Sequence, residues 1–221
     1  MNTNMPAIEQ ALDILRTLYT REVNNRARVV NCANSLKAHG TLTRAELSFV
    51  AQCLKMNNLE FNADLWAVRL LTIELVPKTC WYSNVRTNVP KEIWDKLRTA
   101  TYKKANHICE ICGGKGTKWP VECHEIWHYD DNRRIQRLEN LIALCPSCHE
   151  VKHIGLAGVN GRDHIAKKHL AIVNDWTKKQ VDQYVTEVFK IWLTRSKHEW
   201  ILNVEWLENQ GIDMTNVKIV R

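Results

Sequence analysis

Apolar residues at Ile8, Ala11, Leu12, Leu15 and Leu18 recur in steps of three and four, the spacing that lines one face of a helix, and Leu47, Val50, Ala51 and Leu54 repeat it. Residues 6–75 are therefore expected to form a small helical bundle, with Gly40 ending its second helix and Thr43 and Glu46 making a capping box for the third. The stretch PKTCWYSNVRTNVP, Pro77 to Pro90, replaces this pattern with turn residues and β-formers and marks a join. Trp81 and Tyr82 within it are expected to pack on the core rather than stack on bases. A further helix is predicted from Lys91 to Ala105, with Pro90 suited to its first turn and Ile93, Leu97 and Ala100 on one face. Beyond His153 a glycine-rich turn, GLAGVNGRD, leads to helices over 162–175 and 178–196, the second capped by Thr177 and striped by Val181, Val185, Val188, Phe189 and Trp192. The last twenty or so residues have room for a short strand. Three regions follow: a helical part (1–78), a central core with its lead-in helix (79–160) and a helical C-terminal part (161–221).

Composition changes this picture little. With 221 residues, 45% apolar and 25% charged, the chain is long enough for a real interior and has the balance of a globular protein. No run approaches the roughly eighteen uncharged apolar residues of a membrane span, and the start lacks a basic region before a long apolar run, so a cytoplasmic protein is expected, with no membrane partner. The net charge of +7 favours a polyanionic partner, because each Lys or Arg set against a phosphate releases a counterion.

The eight cysteines divide into two kinds. Cys32, Cys53, Cys80 and Cys123 fall singly and read as small buried hydrophobes. Cys109-x-x-Cys112 and Cys145-x-x-Cys148 are two half-sites with the spacing of a structural, tetrahedral Zn²⁺ site, and Gly113 and Gly114 follow the first where the chain must curl tightly. Such a site would tie residue 109 to residue 148.

Between and just beyond these half-sites runs VECHEIWHYDDNRRIQRLENLIALCPSCHEVKH, residues 121–153. This segment resembles the HNH endonuclease family, whose ββα-metal motif has a first strand ending in a His pair, an Asn in the intervening loop and a helix bearing metal-binding His. ENLIALCPSCHEVKH is the closest part, and the resemblance covers about a fifth of the chain. It implies a mainly α fold with a small ββα-metal core, flanked by helices around a zinc-stapled catalytic motif. His149 and His153, four apart, would share one face of a helix begun near Pro146. By analogy with the family, His124 would join them on a catalytic Mg²⁺ or Mn²⁺, a set that would also take Ni²⁺ or Zn²⁺, and Asn140 would fix the loop between the strands.

The family generally places its base, a histidine, directly after the first metal ligand, and Glu125 stands there. Glu125 is thus the expected base. An alternative register makes His124 the base, with Glu122 or Glu125 joining His149 and His153 on the ion; a third possibility is a chain that keeps its zinc and only binds DNA. Arg133, Arg134 and Arg137, expected in the loop between the strands, are candidate clamps on the DNA backbone. His39, His107, His128, His164, His169 and His198 match no motif position and read as surface or packing residues. The expected function is metal-dependent DNA cleavage leaving 5′-phosphate and 3′-hydroxyl ends, by a monomer or a homodimer. The competing function is a non-catalytic zinc-ribbon module binding nucleic acid or protein, which would have no need of His149 and His153.

Overall fold

The computed structural model describes residues 5–81 and 84–213. Tyr82 lies outside them, and the side chain of His39 is not described. The chain divides into two compact units, residues 1–70 with 111–113, and residues 71–110 with 114–221.

The first unit is built from α1 (Met5–Arg21), α2 (Arg26–His39) and α3 (Arg44–Met56). Their apolar stripes meet in a core of Ala11, Leu15, Leu18, Val29, Cys32, Leu36, Phe49, Val50, Cys53, Leu54 and Trp66. Burial pushes the Cys32 thiol up to about 12, consistent with an inert packing residue. Gly40 ends α2 in the left-handed conformation, and Thr43 with Glu46 forms the reciprocal capping box of α3.

The expectation of helix through residue 75 fails after Met56. Asn58 takes a positive φ of 53°, and beyond it only one 3-10 turn, Ala63–Leu65, interrupts an extended chain. Leu42 and Val68 form a parallel bridge there. The apolar residues of 66–76 suit an extended segment as well as a helix, and tertiary hydrogen bonds decide for extension. In the second unit, Leu71 exchanges two bonds of 2.8 Å with the Asn174 amide, and the Ile73 N–H donates to the Tyr184 hydroxyl at 3.0 Å.

The second unit begins with that extended segment, followed by a 3-10 turn at Lys78–Cys80, the short helix α4 (Val85–Asn88) and α5 (Lys91–Lys104). Trp81 is 63% exposed, so the expected packing on the core is not what occurs. Its centre is the antiparallel pair β1 (Glu122–Asp130) and β2 (Ile135–Leu144), followed at once by α6 (Pro146–Lys152). Then come α7 (Ile154–Val159), α8 (Asp163–Asn174) and α9 (Lys178–Arg195), the short strand β3 (Ile201–Asn203) and α10 (Glu205–Asn209). β3 pairs parallel to β2, giving the order β1-β2-β3. One sheet face packs Cys123, Trp127, Leu138 and Leu141 against Val85, Val89, Leu97, Val204 and Leu207. Among the described residues no helix is long and apolar enough to cross a membrane.

Candidate metal centre

α6 starts where its sequence requires. Cys145 is an extended N-cap whose sulfur accepts from the Cys148 N–H at 3.5 Å, and Pro146 occupies the first turn, where its missing N–H costs nothing. The first half-site is tied to β2 by Glu110, whose N–H donates to Ala143 O at 2.9 Å and whose carboxylate accepts from the Ala143 N–H at 2.8 Å. Gly113 has a φ of 75°, and a side chain at Gly116 would strike the Trp119 carbonyl and the Pro146 ring. The sulfurs of Cys109, Cys112, Cys145 and Cys148 lie within 4.8 Å of one another. Two sulfurs on one tetrahedral zinc stand about 3.8 Å apart. The cluster fits a structural metal such as zinc.

His169 lies beside this cluster, its Nε2 3.2 Å from Cys148 Sγ, hydrogen-bond distance for a ring N–H donating to sulfur. The expectation of a plain surface or packing residue misses this contact. Only the fold reveals it, because α8 brings position 169 back over α6, and no spacing rule links it to 148.

A second cluster joins the ligand atoms of His124, His149 and His153, also within 4.8 Å of one another. The rings stand edge to face, with centroids 5.3 Å apart for His124 and His149, 5.0 Å for His124 and His153, and 4.8 Å for His149 and His153. Residues 149 and 153 approach because they are one helical turn apart, with the His153 N–H donating to His149 O at 3.2 Å. His124 projects from β1 opposite Ile142 of β2. Burial, followed by the charges of His124 and His149, depresses His153 to about 3, so that ring keeps a lone pair for a cation. Burial likewise lowers His124, although the Glu74 carboxylate works against it.

Two carboxylates touch these rings. Glu74 Oε2 is 2.9 Å from His124 Nε2, and Glu122 Oε2 is 2.5 Å from His149 Nδ1. Burial raises Glu74, but the His124 hydrogen bond and the Lys152 charge outweigh it and hold the carboxyl below its ordinary range. Sequence reasoning missed Glu74; its one signal is a lone charge inside the apolar run LLTIELV. It found Glu122 only as an alternative.

Glu125 is not brought to this cluster. Successive strand residues point to opposite faces, so Glu125 shares the face of Cys123 and Trp127 rather than that of His124. Its Oε1 accepts from the N–H groups of Val85 and Arg86 at 2.9 and 3.2 Å, and its Oε2 from the Trp127 indole at 3.0 Å. Burial nevertheless raises its carboxyl to about 7. It caps α4, and the expected base role does not fit.

Three further expectations need correction. β1 does not end at the histidine but runs six residues past His124, to Asp130. Asn140 lies within β2, paired with Ile126 beside a bulge, not in the loop; its Oδ1 accepts from the Leu141 N–H at 2.9 Å. It nonetheless shares the sheet face of His124 and Ile142. Of the three arginines, Arg133 and Arg134 occupy the turn, while Arg137 is in β2. Each stands near a carboxylate: Arg133 and Asp130 at 4.0 Å, Arg134 and Asp131 at 3.9 Å, and Arg137 and Glu139 at 3.0 Å.

The molecule thus places four thiols and three imidazoles in two separate clusters around one hairpin and the helix that follows it. No protein family, curated protein or solved structure matches this chain.

Proposed function

We propose that this chain is a metal-dependent DNA endonuclease of the HNH type, hydrolysing phosphodiester bonds. One observation supports this reading above others: a strand histidine, a helical histidine and the histidine that ends the helix converge on a hairpin–helix unit beside four clustered cysteines. A module needing only the thiols to hold its fold would have no use for three buried or half-buried imidazoles in contact.

In this reading His124, His149 and His153 hold a divalent cation, Mn²⁺ or Mg²⁺ in use, with Ni²⁺ or Zn²⁺ also accepted by so nitrogen-rich a set. When bound, the ion polarises the scissile phosphate and stabilises the departing 3′ oxygen. The attacking water needs a proton acceptor in line with the scissile bond. Glu122 takes that role in place of Glu125, since its carboxylate, 39% exposed, adjoins the His149 ring. Asn140, on the same sheet face, orients the reacting groups. Arg133, Arg134 and Arg137 hold the DNA backbone, helped by the net charge of +7. The products carry 5′-phosphate and 3′-hydroxyl ends.

Supercoiled plasmid incubated with the full chain and Mn²⁺ or Mg²⁺ tests the proposal. Nicked or linear product is expected, His149→Ala should abolish it, and Glu122→Gln should slow it by about 100-fold. Supercoils that persist with the unaltered protein would overturn it in favour of a zinc-ribbon binding module.

A further inference from the structure

We infer that Glu74 is the positioning residue of the histidine cluster: held by Lys152, it fixes the His124 ring with the proton on Nε2 and the Nδ1 lone pair turned to a cation. The inference rests on the cation site proposed above, but it concerns a residue fifty positions before His124 and outside the hairpin–helix unit.

Glu74 is placed by deliberate tethering. Residues 71–77 have no regular structure, yet the segment is pinned at Leu71 by Asn174, at Ile73 by the Tyr184 hydroxyl and at Val76 O by the Trp192 indole, at 2.9 Å. The Glu74 N–H itself donates to Lys152 O at 3.0 Å. Its carboxylate is then used at both oxygens. Oε1 accepts from Lys152 Nζ at 2.5 Å, and Oε2 meets His124 Nε2 at 2.9 Å. Lys152 also donates to Thr72 Oγ1 at 2.8 Å, and its side chain is only 3% exposed.

A buried ammonium is tolerated only beside a counter-charge, so Glu74 answers a structural need through Oε1. That need does not extend to Oε2, which is spent on His124. A carboxylate accepting from one ring nitrogen fixes the tautomer and raises the basicity of the other, the usual support of a metal-binding histidine. Glu122 engages His149 through Nδ1 instead, leaving Nε2. Two ligands from different elements are thereby held in opposite tautomers, each with one nitrogen committed to a carboxylate.

Long-range ¹H–¹⁵N correlation spectra of the unaltered protein, zinc-loaded at its cysteines and free of added metal, read the tautomer directly. His124 is expected as the Nε2–H form, and an Nδ1–H form would overturn the inference. Mn²⁺ titration followed by the free-ion electron paramagnetic resonance signal is the second measurement. Glu74→Gln should weaken binding by about 10- to 100-fold and alter the Co²⁺ d–d bands, while Glu150→Gln, whose carboxylate is taken up by Arg162, should change neither. Unchanged Mn²⁺ affinity and Co²⁺ spectrum in Glu74→Gln would also overturn it. Mn²⁺ binding that depends on Glu74 without plasmid cleavage would sink the nuclease reading alone, cleavage indifferent to Glu74 would sink this inference alone, and no ion binding at all would remove both.

Discussion

At Glu125, burial and hydrogen bonding oppose each other. Three N–H donors favour its carboxylate, yet burial dominates and carries the group to about 7. The unfolded chain releases that proton near the ordinary 4.5, so between these values the folded state binds more protons. The contribution of Glu125 to stability is therefore full below about pH 4.5 and is lost as pH rises through about 7, with a span of about 3 kcal/mol. Glu125→Gln keeps an acceptor for Val85 and Arg86 and removes the titration. Chemical denaturation of both proteins at several pH values should show the wild type losing stability relative to the variant as pH rises, and a constant difference would contradict the burial argument. Plasmid cleavage by Glu125→Gln should persist. The residue-level lesson lies in the same strand. His149 and His153 were legible because one helical turn separates them, and His124 followed from family order. The orientation of Glu125 is fixed by strand alternation, which a motif written as a string of letters does not carry. Glu74 was illegible for another reason, since only tertiary hydrogen bonds bring it across fifty positions.

Elements were legible where local chemistry sufficed. α8 and α9 begin and end within a residue or so of their expected limits, because capping and apolar stripes are local signals. Thr177 caps α9 through a reciprocal box with Gln180, its Oγ1 accepting from the Gln180 N–H at 3.3 Å. Thr177→Ala should cost about 1 kcal/mol in urea denaturation while leaving metal binding unchanged; a neutral result would mean that tertiary packing alone sets the start of α9. Residues 57–75 go the other way. Their apolar content suggests helix, but Asn58 breaks the period, and the backbone at Leu71 and Ile73 finds its partners on Asn174 and Tyr184, more than a hundred positions away. The hairpin turn shows a mixture. Asp130 accepts from the N–H groups of Asn132 and Arg133 at 3.0 and 2.9 Å, a local device visible in the letters DDNRR, whereas the pair of bonds from Arg195 to Asp131 at 2.9 and 2.6 Å required the fold.

For the molecule as a whole, the two clusters do different physical work. Four thiols, three of them buried, close around a position with no room left for substrate, so an ion there contributes to folding. Three imidazoles leave coordination positions open, so an ion there should bind reversibly and matter little to stability. Cys148→Ser removes a fully buried sulfur that also meets the His169 ring. Loss of a structural metal belongs with the mutations that exceed about 4 kcal/mol. Cys148→Ser should therefore lower bound zinc by about one equivalent in elemental analysis, depress the melting temperature strongly and abolish Mn²⁺ binding as a consequence, because α6 contributes a residue to each cluster. His149→Ala should do the reverse, sparing the zinc and the melting temperature while losing Mn²⁺. If Cys148→Ser melted like the wild type, the thiol cluster would not be what holds α6 against the hairpin, and the division of labour between the two clusters would have to be abandoned.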